Sequence, residues 1–191
     1  MHSSVDSKAR LTIPNLITLT RILLTPLFII FLIQKRYQPA MWIFIFAGVS
    51  DAADGIIARR WGQKSPLGTF LDPLADKLLM GASFITLSIS SLIPSWLTVI
   101  VISRDLILVL GVTLCKLANF PVLVHPSTAG KLSTTTQVAT VLAVLMAQNW
   151  TISPVLLQVL FWVTGSLTAI SGIHYVFQAL WDATHSHDHS G

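Results

Sequence analysis

DAADGIIARRWGQKSPLGTFLDPLAD, residues 51–76, places four aspartates in sequence otherwise built for lipid. Its skeleton is D-x2-D-G-x2-A-R-x8-G-x3-D-x3-D, carried by Asp51, Asp54, Gly55, Ala58, Arg59, Gly68, Asp72 and Asp76. Of 191 residues, 53% are hydrophobic and 10% charged, where an ordinary soluble domain has roughly 25% charged residues. The chain contains no glutamate, and most of its aspartates, Asp105 included, fall in or beside apolar windows. An ionisable group at membrane depth is costly and marks function by default.

Around this stretch the chain divides into apolar windows close to the ~18 to 20 residues that span a bilayer as helix. The expected spans are 13–33, 40–57, 67–90, 95–117, 131–147 and 155–180. They form one all-α integral membrane domain over 13–180, flanked by a polar segment at 1–12 and a polar, His-containing tail at 181–191. Ser65 and Pro66 read as a helix N-cap followed by proline at the first helical position. Lys8, Arg10, Arg59, Arg60, Lys64, Lys116 and Lys131 fall on one side of these spans, and Lys35 and Arg36 on the other. That bias puts the acidic stretch at the cytoplasmic face. The basic residues are scattered, so the formal charge of +4 gives no reason to expect a nucleic-acid partner. Cys115 is the single cysteine, which excludes an internal disulfide; it reads as a small apolar helix residue. Arg21, more than a turn inside the first span, is expected to face inward.

Residues three and four apart share a helix face. Asp51, Asp54, Gly55 and Ala58 therefore form one stripe at the end of the second span. Gly68, Asp72 and Asp76 form another at the start of the third, descending about 12 Å. The short connection makes these helices antiparallel neighbours with facing stripes. Four converging carboxylates repel one another unless a cation neutralises them. An all-oxygen ligand set suits Mg²⁺, Mn²⁺ or Ca²⁺, and four carboxylates are enough for two ions of the kind that assist phosphoryl displacement. Small residues in membrane helices commonly serve packing. Interleaved with acids on one stripe, they also leave room for a nucleotide against the backbone.

Position for position, these eight residues resemble the signature of the CDP-alcohol phosphatidyltransferases. Ile13-Pro-Asn-Leu, Ser103-Arg-Asp105, Gly130-Lys131 and Ser171-Gly-Ile-His-Tyr175 are similar to segments of the family's phosphatidylglycerophosphate synthase and cardiolipin synthase branch. The resemblance covers roughly residues 11–180. It implies six transmembrane helices, a homodimer, and a polar, metal-binding cavity open to the cytoplasm, here of the bacterial inner membrane. Carried over by position, Asp51, Asp54, Asp72 and Asp76 bind two divalent ions, Mg²⁺ or Mn²⁺. Gly55, Ala58 and Gly68 accommodate the cytidine nucleotide of CDP-diacylglycerol and Arg59 its diphosphate, while Asp76 takes the proton of the acceptor alcohol.

The acceptor divides the resemblance. Arg104 and Lys131 match two of the cations suited to the phosphate of glycerol 3-phosphate, whereas the third position is Val112. Val112 and Asp105 are more like the cardiolipin synthases, whose acceptor is phosphatidylglycerol; Gly130-Lys131 and the Ser-Gly-Ile-x-Tyr segment are more like phosphatidylglycerophosphate synthase. Glycerol 3-phosphate is the acceptor expected here, with phosphatidylglycerol the alternative. A cation or proton transporter would also hold intramembrane acids beside Arg21 and Arg104, but has no use for Gly, Ala and Arg at these spacings. A membrane prenyltransferase would need two distant acidic clusters, which this chain does not have.

Overall fold

A computed structural model describes the backbone of residues 13–61, 66–117 and 128–185, and the side chains of residues 20–50, 77–111 and 128–178. Six helices make up nearly all of it: α1 Ile13–Ile33, α2 Tyr37–Trp61, α3 Pro66–Ile89, α4 Ser95–Leu117, α5 Thr128–Ala147 and α6 Pro154–His185. α1 and α4 coincide with the expected spans. α2 runs beyond its apolar core at both ends, which sets Asp51 and Asp54 within continuous helix. α6 continues past Leu180 into the polar tail. The expected N-cap at Ser65, the loop at 62–65, the segment at 1–12 and the tail beyond His185 lie outside the described residues.

The connections have local causes. After α1 the amide of Lys35 donates to the Leu32 carbonyl at 2.9 Å and that of Arg36 to Phe31 at 2.8 Å, with Lys35 at φ 57°. After α3 the pattern recurs: Ser91 donates to Ser88 and Leu92 to Leu87, both at 2.9 Å, with Ser91 at φ 58°. Both are Schellman endings, in which a left-handed residue turns the last amides back onto orphan carbonyls. α6 opens on Ser153-Pro154, where the missing proline amide costs no hydrogen bond.

Neighbouring helices close a ring in the order α1, α2, α5, α6, α4, α3, and α3 also touches α5 across it. The bundle is thus two four-helix rings sharing the α3–α5 edge. One holds α1, α2, α5 and α3; the other holds α3, α5, α6 and α4. Phe28, Leu32, Phe44, Phe84, Leu87, Leu97, Val101, Val141 and Leu145 form a buried core near the end remote from the acidic stretch.

Polarity is distributed inside out. Arg21, Thr25, Ser83, Arg104, Asp105, Ser133, Gln137, Thr140, Thr164, Thr168 and Ser171 are buried. Large apolar side chains stand exposed on every helix, among them Leu27, Phe46, Ile85, Leu110, Leu132 and Phe177. Soluble monomers rarely expose apolar surface on that scale. Among the described residues, Pro154–Gln178 is the one helical stretch long and apolar enough to cross a membrane. Arg21 is 3% exposed, so it is held inside the bundle as expected and does not snorkel.

One close approach locks α4 to α6. A Cβ on Gly165 would lie 2.5 Å from Cζ3 of Trp96, whose ring packs at 4.8 Å, centroid to centroid, on Trp162. Gly165→Ala is therefore expected to lower stability by about 1–3 kcal/mol, the usual cost of overpacking. A denaturant titration in detergent micelles reads it, and an unchanged midpoint would show that Trp96 moves freely.

Candidate active site

The backbone carries Asp51, Asp54, Gly55, Ala58 and Arg59 on α2 and Gly68, Asp72 and Asp76 on α3. Their side chains lie outside the described residues, as do those of Val112 and Cys115. Helical spacing keeps each set on one face. Among the described residues, α1 and α5 each pack on both α2 and α3, and the expected facing of the two acidic stripes falls on residues 51–76, whose side chains lie outside the described residues. An all-carboxylate donor set at these spacings fits a hard divalent cation. Among the described residues, which do not include these aspartate side chains, no cluster of three metal-ligating side chains occurs.

Beside that ring, α3 and α4 meet at one carboxylate, and α6 joins them through Arg104. Lys77 of α3 donates to Oδ1 of Asp105 at 2.7 Å, and NH1 of Arg104 donates to the same oxygen at 2.8 Å. NH2 of Arg104 donates to Oγ of Ser171 on α6 at 3.2 Å. The guanidinium carbon lies 5.9 Å from the Tyr175 ring centroid, within cation–π range. Gly172 leaves space for the arginine stem, since a Cβ there would lie 3.4 Å from Cγ of Arg104. The Arg104 side chain is 6% exposed, and those of Lys77 and Asp105 are 26% and 11% exposed. Outside this cluster, α4 and α6 leave an open apolar groove of about 420 Å³ that Arg104 lines together with Gly172 and Phe177.

α5 is joined to α6 by a buried polar seam. Ser133 and Thr168 share a hydrogen bond of 3.0 Å and Thr140 and Thr164 one of 2.8 Å. Nε2 of Gln137 donates to Ser133 at 3.2 Å and to Thr168 at 3.1 Å. Interhelical bonds of this kind average about 0.6 kcal/mol each in membrane proteins, so the seam is worth a few kcal/mol and sets the register of α5. Lys131, two residues before Ser133, is thereby carried along antiparallel α6 towards Ser171, to the level of Arg104. Asp76 precedes Lys77 by one helical rise, about 1.5 Å. The backbone thus brings Asp76, Arg104 and Lys131 to one level. The Lys131 side chain is exposed, whereas Arg104 is buried and already hydrogen-bonded.

A family model described as CDP-alcohol phosphatidyltransferase matches residues 11–170. The chain belongs to this family. Similar proteins include the "Probable cardiolipin synthase (CMP-forming)" of Drosophila melanogaster, 36% identical over 87% of this chain and 57% of that protein. The human "Cardiolipin synthase (CMP-forming)" is 34% identical over 86% of this chain and 60% of its own length. The "CDP-diacylglycerol--glycerol-3-phosphate 3-phosphatidyltransferase" of Bacillus subtilis is 34% identical over 90% of this chain and 96% of that protein. The chain spans about 57–60% of the length of the fruit-fly, rat and human relatives. CDP-alcohol phosphatidyltransferases are membrane-embedded and use divalent metal ions, in keeping with the outward apolar surface and the four aspartates.

Reading the sequence alone passed over Lys77, Ser171 as a partner of Arg104, and the Ser133–Gln137–Thr140 seam. Lys77 directly follows the last motif aspartate and opens an apolar run, so its position was itself a signal. The polar residues of STTTQVAT recur at helical spacing, which marked a buried polar face of α5.

Proposed function

We propose that this protein transfers the phosphatidyl group of CDP-diacylglycerol to a glycerol-type alcohol and releases CMP. The observation that carries the reading is the complete eight-residue signature, set on helices α2 and α3, in a chain of this family. The acceptor hydroxyl attacks the lipid-side phosphorus, the bond to the CMP oxygen breaks, and CMP departs with that electron pair. Asp76 takes the hydroxyl proton, the task of a positioned general base. Gly55, Ala58 and Gly68 leave backbone open to the cytidine and Arg59 meets the diphosphate. Asp51, Asp54, Asp72 and Asp76 would hold one or two divalent ions, which when bound supply charge neutralisation at the diphosphate.

Six spans over 13–180, a homodimer, and a cavity facing the cytoplasm of a bacterial inner membrane complete the proposal. The basic-residue bias supports the orientation, and the match over nearly all of the Bacillus relative supports the bacterial membrane.

Glycerol 3-phosphate is the first acceptor, on Gly130-Lys131 and the Ser171–Tyr175 segment. Phosphatidylglycerol is the second, favoured by Val112, Asp105 and the cardiolipin synthase relatives. Purified protein given CDP-diacylglycerol and each acceptor in turn separates them, and CMP release with phosphatidylglycerol alone would overturn the first. Lys131→Ala is expected to raise the acceptor KM about tenfold, the loss of one charge-assisted contact, while the KM for CDP-diacylglycerol stays put. An unchanged acceptor KM removes Lys131 from the site.

A further inference from the structure

Two buried or half-buried cations, Lys77 and Arg104, converge on one carboxylate oxygen of Asp105. Asp105 is shared between two cations, so neither has a carboxylate to itself. A second feature agrees: among the described residues, Nε of Arg104 is buried and has no acceptor, although a buried donor is ordinarily satisfied. Two cations on one shared oxygen and an idle donor suit an anion that arrives from outside the chain. Asp76, the proposed base, stands one residue from Lys77 on α3, so that anion would sit beside the place where the acceptor loses its proton.

We propose that Lys77 is a further cation of the acceptor's phosphate site, beside Arg104 and Lys131, and that Asp105 is the positioning residue that holds Lys77 and Arg104. The inference rests on the phosphatidyl-transfer reading and adds the residue that links the acid-bearing helix to the acceptor. The ligand chemistry is a phosphate bearing a glycerol: the monoester of glycerol 3-phosphate and the diester of phosphatidylglycerol share it. Unliganded, Asp105 stands in for the phosphate, using one oxygen where a diester phosphate offers two and a monoester three. An arginine held at NH1 and NH2 by α4 and α6 keeps its fork oriented, so less freedom is lost when the anion docks.

The test uses the full chain in detergent micelles, with CDP-diacylglycerol saturating and either glycerol 3-phosphate or phosphatidylglycerol varied. Lys77→Met is expected to raise the acceptor KM about tenfold or more, since a charge-assisted hydrogen bond contributes about 1.5–3 kcal/mol, and to leave the KM for CDP-diacylglycerol within about twofold. Lys77→Arg should bring the acceptor KM back to within about threefold, because the charge returns. Asp105→Asn should raise the acceptor KM while leaving that of CDP-diacylglycerol unchanged. The acceptor that supports CMP release in the unmodified protein identifies the source of the phosphate. A fall in kcat with both KM values unchanged would mean that Lys77 only ties α3 to α4, and a raised KM for CDP-diacylglycerol would assign it to the donor; either overturns the proposal. If neither acceptor yields CMP, the transferase reading has failed, and the site is read by the rise in unfolding midpoint on adding glycerol 3-phosphate. Loss of that rise in Lys77→Met sustains the phosphate site; its persistence, or no rise in the unmodified protein, overturns it.

Discussion

Asp76→Asn is expected to abolish CMP release from CDP-diacylglycerol while the protein still reaches the membrane fraction and folds. The replacement is nearly isosteric and keeps an oxygen, so helix α3 has no reason to lose its shape. On the proposed mechanism, what disappears is a negative charge where cations would be held and the basic oxygen that would receive the acceptor's proton. Removing a general base alone costs about 10²–10⁴ in rate, and weakening a metal ligand at the same position adds to that. Asp72→Asn tests the ligand role separately, because Asp72 has no part in proton transfer. The expected pattern is a loss of turnover in both variants, partly relieved in Asp72→Asn by raising the Mg²⁺ or Mn²⁺ concentration. Retained activity in both would refute the metal-site reading.

Asp105→Ala destabilises the bundle by about 3–5 kcal/mol, the range seen when one partner of a buried ion pair is removed. The variant leaves Arg104, 6% exposed, and Lys77 facing each other with no carboxylate between them. The double variant Asp105→Ala/Lys77→Met should recover part of the loss, because it removes one of the two uncompensated cations; residues in one network couple in this way. Chemical denaturation in micelles measures both. Additive losses would mean that Lys77 and Asp105 act independently despite the 2.7 Å contact.

The six helices could be read from apolar windows and their turns, and α1 and α4 match those windows end to end. Periodicity carried this because a helix in lipid satisfies its backbone internally and advertises itself by length. Which helices meet was less legible. Short connections did not show that α5 packs on α2 and α3 as well as on α6, or that α4 packs on α6. A connection limits only how far helix ends can separate, whereas packing along the helices depends on faces contributed by the whole chain. Arg104 and Lys131 stood out as charges in apolar sequence. That Arg104 rests on Asp105 and Ser171 was hidden, because Ser171 lies 67 residues away and a serine in a membrane helix looks unremarkable.

The sequence by itself determined the family, the reaction proposed for it and the acidic stretch that carries the donor chemistry, because eight residues at fixed spacing on two helices are local facts of a chain whose helices form independently. Only the tertiary structure decided that α5 packs on α2, α3 and α6, that the Ser133–Gln137–Thr140 seam sets the height of Lys131, and that Lys77 and Arg104 share Asp105. These depend on distances between residues far apart in the chain. A lone charge in an apolar run reports that it needs a partner, and the partner becomes known only when the helices are packed.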